Sequence, residues 1–190
     1  WFSGNLFIIA AGAILGPVAV GVTRMAQNIV GITHVLFLAM ENIIPVRASQ
    51  HQRNGGNEEM FRYLWKFALQ MGAVTLTLLT TLAIFSKQII LFFYGTEFVA
   101  YQHLLIGFCA LYVIIFIGYP MRYAIRTLEN TRLIFISFIA TSIFSILTAY
   151  PIIRTFGLNG VLIGLVITQL ITLILYYYSL RKEVVKLSFE

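Results

Sequence analysis

Aspartate is absent from this 190-residue chain, and all seven acidic residues are glutamate. An aspartyl dyad and a Ser-His-Asp triad are therefore excluded within it. The three histidines, His34, His51 and His103, fall in separate segments, and no HExxH or comparable metal spacing joins them. A Gly-rich P-loop is missing too, so nucleotide hydrolysis by that route is not expected. The one cysteine, Cys109, can form neither an internal disulfide nor a cysteine metal site. It lies in an apolar run, where it reads as a small buried hydrophobe. The chain is accordingly read as non-enzymatic, with no catalytic residue, no metal site and no resident cofactor.

Charge is also scarce. Charged residues make up 11% of the chain and hydrophobic ones 59%, against about 25% and 45–50% in ordinary soluble domains. Mean hydropathy is +0.89. A soluble domain of this size has no interior large enough for so much apolar surface, whereas a bilayer solvates it directly. The net charge of +6 sits in short clusters between long apolar runs. That pattern orients a membrane protein, so nucleic acid is rejected as a partner.

Spans of about 20 apolar residues are needed to cross the hydrocarbon core. Six segments come close, which predicts an all-α, polytopic six-helix bundle forming one domain over residues 1–190. They cover about Phe2–Leu15, Thr23–Val46, Phe61–Ser86, Tyr101–Ala124, Leu133–Ile153 and residues 161–180. The first is short and ends at Gly16-Pro17, a turn signal. Pro45 is expected to close the second, and a polar loop from Gln50 to Glu59 to follow it. Tyr94-Gly95-Thr96-Glu97 breaks the third segment. Arg126, Glu129, Asn130 and Arg132 mark the loop after the fourth, and Phe156-Gly157-Leu158-Asn159-Gly160 the turn before the last.

Cations on alternate sides of this parse divide ten to three. The ten are Arg47, Arg53, Arg62, Lys66, Arg122, Arg126, Arg132, Arg181, Lys182 and Lys186; the three are Arg24, Lys87 and Arg154. Positive loops stay in the cytoplasm, so both termini are expected there. A chain starting at Trp1, inside an apolar stretch and without a signal peptide, is read as part of a longer protein.

Polar groups inside the spans point to function. At 100° per residue, Arg24, Gln27, Asn28, Gly31, His34, Glu41 and Asn42 fall on one side of the second segment. Ionisable groups at membrane depth are expensive and mark a cavity, an ion path or a buried pair. Arg24, Gln27, Asn28, His34 and Glu41 are therefore candidate cavity residues, joined by Gln169, whose amide needs several partners. A plainer alternative has Arg24 snorkelling to headgroups and His34 neutral among its neighbours. Arg122 and Arg126, four apart on one helix face, are candidate contacts for a lipid phosphate. Ordinary flank charge, with Glu129 pairing Arg126, accounts for them as well. Ser137, Thr141, Ser145 and Thr148 read as a packing face with interhelical hydrogen bonds. The two glycines of Gly12-Ala-Ile-Leu-Gly16 and of Gly160-Val-Leu-Ile-Gly164 allow close helix approach.

Several of these features together resemble a known family. They are Leu15-Gly-Pro-Val-Ala-Val-Gly21, Ile43-Ile-Pro45-Val, Arg122-xxx-Arg126-Thr-Leu-Glu, and Phe156-Gly-Leu-Asn-Gly160 before an apolar span. The chain resembles the C-terminal half of polysaccharide-biosynthesis flippases of the multidrug/oligosaccharidyl-lipid/polysaccharide (MOP) exporter superfamily. The resemblance implies one of two six-helix bundles around a cavity, in a bacterial cytoplasmic membrane. It implies alternating-access flipping of a lipid-linked oligosaccharide, with membrane lipids and a first helix bundle of the same protein as partners. Arg24 would then contact a diphosphate, and His34 and Glu41 are candidates for proton or cation coupling. A drug or metabolite exporter of the same superfamily, whose cavity should favour acids, is the alternative. A membrane enzyme of envelope lipid or glycan assembly is another; it should carry a His-acid or metal cluster.

Overall fold

The computed structural model describes residues 2–129 and 131–187, with side chains over 5–129 and 131–181. Trp1 and Asn130 lie outside the described residues, as do the side chains of Lys182 and Lys186. No strand occurs among the described residues. The helices are α1 (Phe2–Leu15), α2 (Pro17–Val30), α3 (Ile32–Ile84), α4 (Ser86–Tyr94), α5 (Gln102–Thr127), α6 (Thr131–Phe156) and α7 (Leu158–Leu187). A short 3-10 segment, Thr96–Tyr101, leads into α5.

Breaks fall where the backbone needs glycine or proline. Gly16 takes φ 90°, open to residues without a Cβ, and Pro17 then begins α2. Gly95 (φ 88°) ends α4, and Gly157 (φ 58°) alone separates α6 from α7. The expected five-residue turn there is thus one residue long.

Two boundary expectations are corrected. Pro45 does not end its helix, since α3 runs on through it. Proline removes one backbone bond, but buried Ile44 and Ala48 on the adjoining turns hold the segment against α5. Within membrane helices such a loss is tolerated where packing compensates. The expected loop from Gln50 to Glu59 is likewise helical, except at Gly55 and Gly56. Those two residues leave helical geometry, Gly56 at φ 73°. Around them α3 doubles back, so that an arm at 32–54 faces an arm at 57–84. Phe37, Met40, Ile44 and Ala48 of the first arm share one buried cluster with Met60, Leu64 and Phe67 of the second.

Helix α5 is the centre of the bundle. It packs against α2, α3, α4, α6 and α7. Of its most apolar stretch 44% is buried, against 22–28% for the other long apolar helices. On one side Leu105, Phe108 and Cys109 meet Phe7 of α1, Met25 of α2 and Val161 of α7. On the other, Phe116, Tyr119 and Tyr123 meet the doubled α3. α1 closes the bundle against α6, α2 and α7. There the ring of Phe7, wholly buried, lies directly over Gly164, the second glycine of the pair in α7.

Four helices are long and apolar enough to cross a membrane: α3, the stretch Thr96–Thr127, α6, and Leu158–Arg181. Four is fewer than six. The second expected segment is divided between α2 and α3 at Gly31, its remainder shares α3 with nearly all of the third, and α1, with 14 residues, reaches only about 21 Å. Outward-facing Trp65, Phe92 and Leu147 are each 68–82% exposed. Apolar surface of that extent suits lipid and not water.

Candidate functional site

The most tightly knit polar cluster joins α3 to α5. Glu41 is half-buried, on the edge of the first arm of α3. Its Oε1 accepts from Arg122 Nη2 at 3.1 Å and from Arg126 Nη1 at 3.0 Å. The helical spacing of the arginines makes this possible, because residues four apart stand one above the other. Arg126 therefore pairs with Glu41, a residue distant in sequence, and the expected pairing with Glu129 is replaced. Glu129 stands in the turn after α5 with φ 58°.

Aromatic side chains wall this ion pair. Tyr119 and Tyr123 stack obliquely, with centroids 5.8 Å apart, and Phe37 lies 4.8 Å from Tyr119. Tyr123 is completely buried, within electrostatic reach of Glu41, Arg122 and Arg126. Its hydroxyl and the Nε of Arg122 are buried without a hydrogen-bond partner among the described residues. Buried polar atoms are ordinarily paired, so the site carries spare donors. Sequence reasoning missed both tyrosines, although their spacing four apart beside Arg122 and Arg126 places them along one side of α5.

Gln169 lies on the far side of Arg122. Its amide packs against Gly118 of α5, and with Tyr119, Arg122 and Tyr176 it lines a 150 Å³ cavity between α5, α6 and α7. A second opening, of about 420 Å³, runs from Arg126 to Arg53, Ser49 and Gln50 at the end of the first α3 arm. The arginine pair thus stands between an interior cavity and a surface cleft.

Arg24 belongs to a separate cluster. Its guanidinium donates to Gln27 Oε1 at 3.1 Å and to Asn5 Oδ1 of α1 at 3.1 Å. Asn5 is the only amide in the first apolar segment, which was the available signal for it. Asn28, His34 and Asn42 are exposed, on the same side of α2 and α3 as Arg24. The opposite side, with Val30, Thr33, Phe37 and Met40, is buried against the bundle. The predicted stripe therefore does not assemble into one site. Glu41 joins Arg122 and Arg126, Arg24 joins Gln27 and Asn5, and the remainder line an uncovered face.

A cleft of about 760 Å³ opens between the arms of α3. Arg47, Arg62, Lys66 and Glu58 line it, and His51 Nδ1 lies 2.8 Å from Glu59 Oε1 across it. The hydroxyls of α6 act mostly locally. Thr141, Ser145 and Thr148 each donate to a backbone carbonyl four residues back, and Ser137 to Ile134. For Thr141, Ser145 and Thr148 the expected interhelical bonds give way to bonds within the helix, since a serine or threonine hydroxyl reaches its own preceding turn readily, whereas Ser137 also hydrogen-bonds Tyr176 of α7.

Among the described residues no group of three or more His, Cys or Glu is placed to hold a metal ion. No family model, curated protein or solved structure matches this chain.

Proposed function

We propose that this chain is one helix bundle of a membrane exporter that flips a lipid-linked oligosaccharide, or a polysaccharide precursor, by alternating access. The carrying observation is the two-sidedness of α2 and α3. Arg24, Asn28, His34 and Asn42 are exposed on one side, interspersed with exposed Ile32, Val35 and Leu38, while the reverse side packs into the bundle. A polar face in a bilayer needs a polar counterpart, because unpaired amides and charges cost several kcal/mol in hydrocarbon. A water-filled cavity shared with a second bundle of the same protein supplies that counterpart. In this reading the charged sugar-phosphate head passes along the polar face and the lipid tail stays in the bilayer.

The proposal extends to topology. α1, the run from Thr23 in α2 to Val46 in α3, the second arm of α3, α5, α6 and α7 make six crossings, with both termini on the cytoplasmic side of a bacterial inner membrane. The cation distribution supports this orientation. His34 and Glu41 are the ionisable groups proposed to couple transport to protons or cations. Glu41, held by two arginines, would have to leave them to do so.

The test is flipping of a labelled lipid-linked oligosaccharide by the full protein in reconstituted vesicles. Arg24→Ala and Arg24→Lys should both slow it, since neither keeps the planar guanidinium that a phosphate engages twice. Wild-type rates in both variants would defeat the reading.

A further inference from the structure

Around Glu41 the donors exceed what one carboxylate can accept. Arg122 Nη2 and Arg126 Nη1 both aim at the same oxygen, Oε1. Two guanidiniums offer about ten N–H donors, and one carboxylate leaves the cluster with an excess positive charge. The nearby Arg122 Nε and Tyr123 hydroxyl have no partner among the described residues, and Tyr123 is 0% exposed. The cluster is reachable through Arg126, while Arg122 lines the inner cavity. Arg126 lines the 420 Å³ cleft with Arg53, so two guanidiniums face it against one carboxylate, Glu129.

We propose that Arg122 and Arg126 form a phosphoryl-binding site, and that Glu41 is its internal stand-in anion, displaced when a phosphate ester enters past Arg53. A phosphoryl group presents three oxygens and up to two charges, so it can engage both guanidiniums through paired hydrogen bonds. It also leaves an oxygen for a neutral donor such as Tyr123. Glu41 keeps the empty site compensated, because two guanidiniums side by side repel each other without an anion between them. It thereby sets a threshold, since a weaker or singly charged anion gains little by replacing a carboxylate. The phosphoryl group belongs either to a lipid headgroup or to free phosphate. The choice of a phosphorylated lipid as natural ligand rests on the transport reading above.

Equilibrium binding tests the site without reference to transport. The full protein in maltoside micelles is titrated calorimetrically with inorganic phosphate and, separately, with short-chain phosphatidic acid. Glu41→Gln should bind about tenfold tighter than wild type, and the Arg122→Gln/Arg126→Gln pair about tenfold weaker. Saturation by phosphatidic acid alone assigns the site to a lipid headgroup; saturation by inorganic phosphate alone assigns it to free phosphate. Binding of both marks a site that reads the phosphoryl group itself. No saturable binding of either probe, or unchanged or weaker binding in Glu41→Gln, overturns the proposal. If Glu41→Gln elutes as an aggregate, Glu41→Asp serves, because its shorter carboxylate cannot hold both arginines. Its affinity should also rise, and an unchanged value counts equally against the stand-in role. Loss of the flipping reading through Arg24 would leave these titrations unaffected, so the two failures are distinguishable.

Discussion

The rings of His51 and Tyr63 lie face to face, with centroids 4.6 Å apart and planes inclined by 20°. Both belong to α3, where an unbroken helix would hold positions 51 and 63 about 18 Å apart. The stack, with the His51–Glu59 contact beside it, pins the reversal at Gly55-Gly56. That reversal turns one long helix into two arms and opens the cationic cleft between them.

The reversal depends on the φ of 73° at Gly56. A Cβ there meets no neighbour, and with ψ at −168° the backbone is in a region almost reserved for glycine, so the cost of Gly56→Ala is purely conformational, about 1–3 kcal/mol. Thermal unfolding in detergent should show a lowered midpoint. Gly21→Ala, at a helical position with equally open space, should match wild type or exceed it. Equal midpoints for both variants would mean that the turn finds another geometry.

The contact of Phe7 with Gly164 predicts a compensating pair. A Cβ at position 164 would run into the Phe7 ring, so Gly164→Ala should destabilise the protein by about 1–3 kcal/mol through overpacking. Phe7→Leu in the same chain should recover part of that loss, giving a non-additive double-mutant cycle. Strict additivity would show that α1 does not seat on α7 through this contact.

Three of the six proposed crossings, the second arm of α3, α5 and α6, are checked by single cysteines in a Cys109→Ala background. Arg53→Cys and Arg132→Cys should react with an impermeant maleimide from the cytoplasmic side only. Thr96→Cys and Asn159→Cys should react from the opposite side only. Labelling of positions 53 and 96 from one side would exclude a crossing between them.

Much of this molecule was legible as a string. The apolar runs and the scarcity of charge determine that it is helical and suited to a membrane, because backbone groups in hydrocarbon must be satisfied within a helix or a closed barrel. The Gly16-Pro17, Gly95 and Gly157 breaks were also visible, since positive φ favours glycine. Helical periodicity put Arg24, Asn28 and Asn42 on one side of the second segment, and all three are exposed.

Which polar groups meet was decided only by tertiary packing. Periodicity places Glu41 on a face, but nothing local says that α5 crosses there with Arg122 and Arg126 at bonding distance. Glu129, three residues beyond Arg126, was the nearer acid in sequence, and the fold passed it over for one on another helix. The same holds for the loop expected at 50–59. Its polar residues looked like a break, yet pairing across two glycines let both flanks stay helical. The sequence by itself determined the medium this chain suits and where its helices break, because those follow from local chemistry. The assembly of the helices decided which charges are joined, because that depends on contacts between residues far apart in the chain.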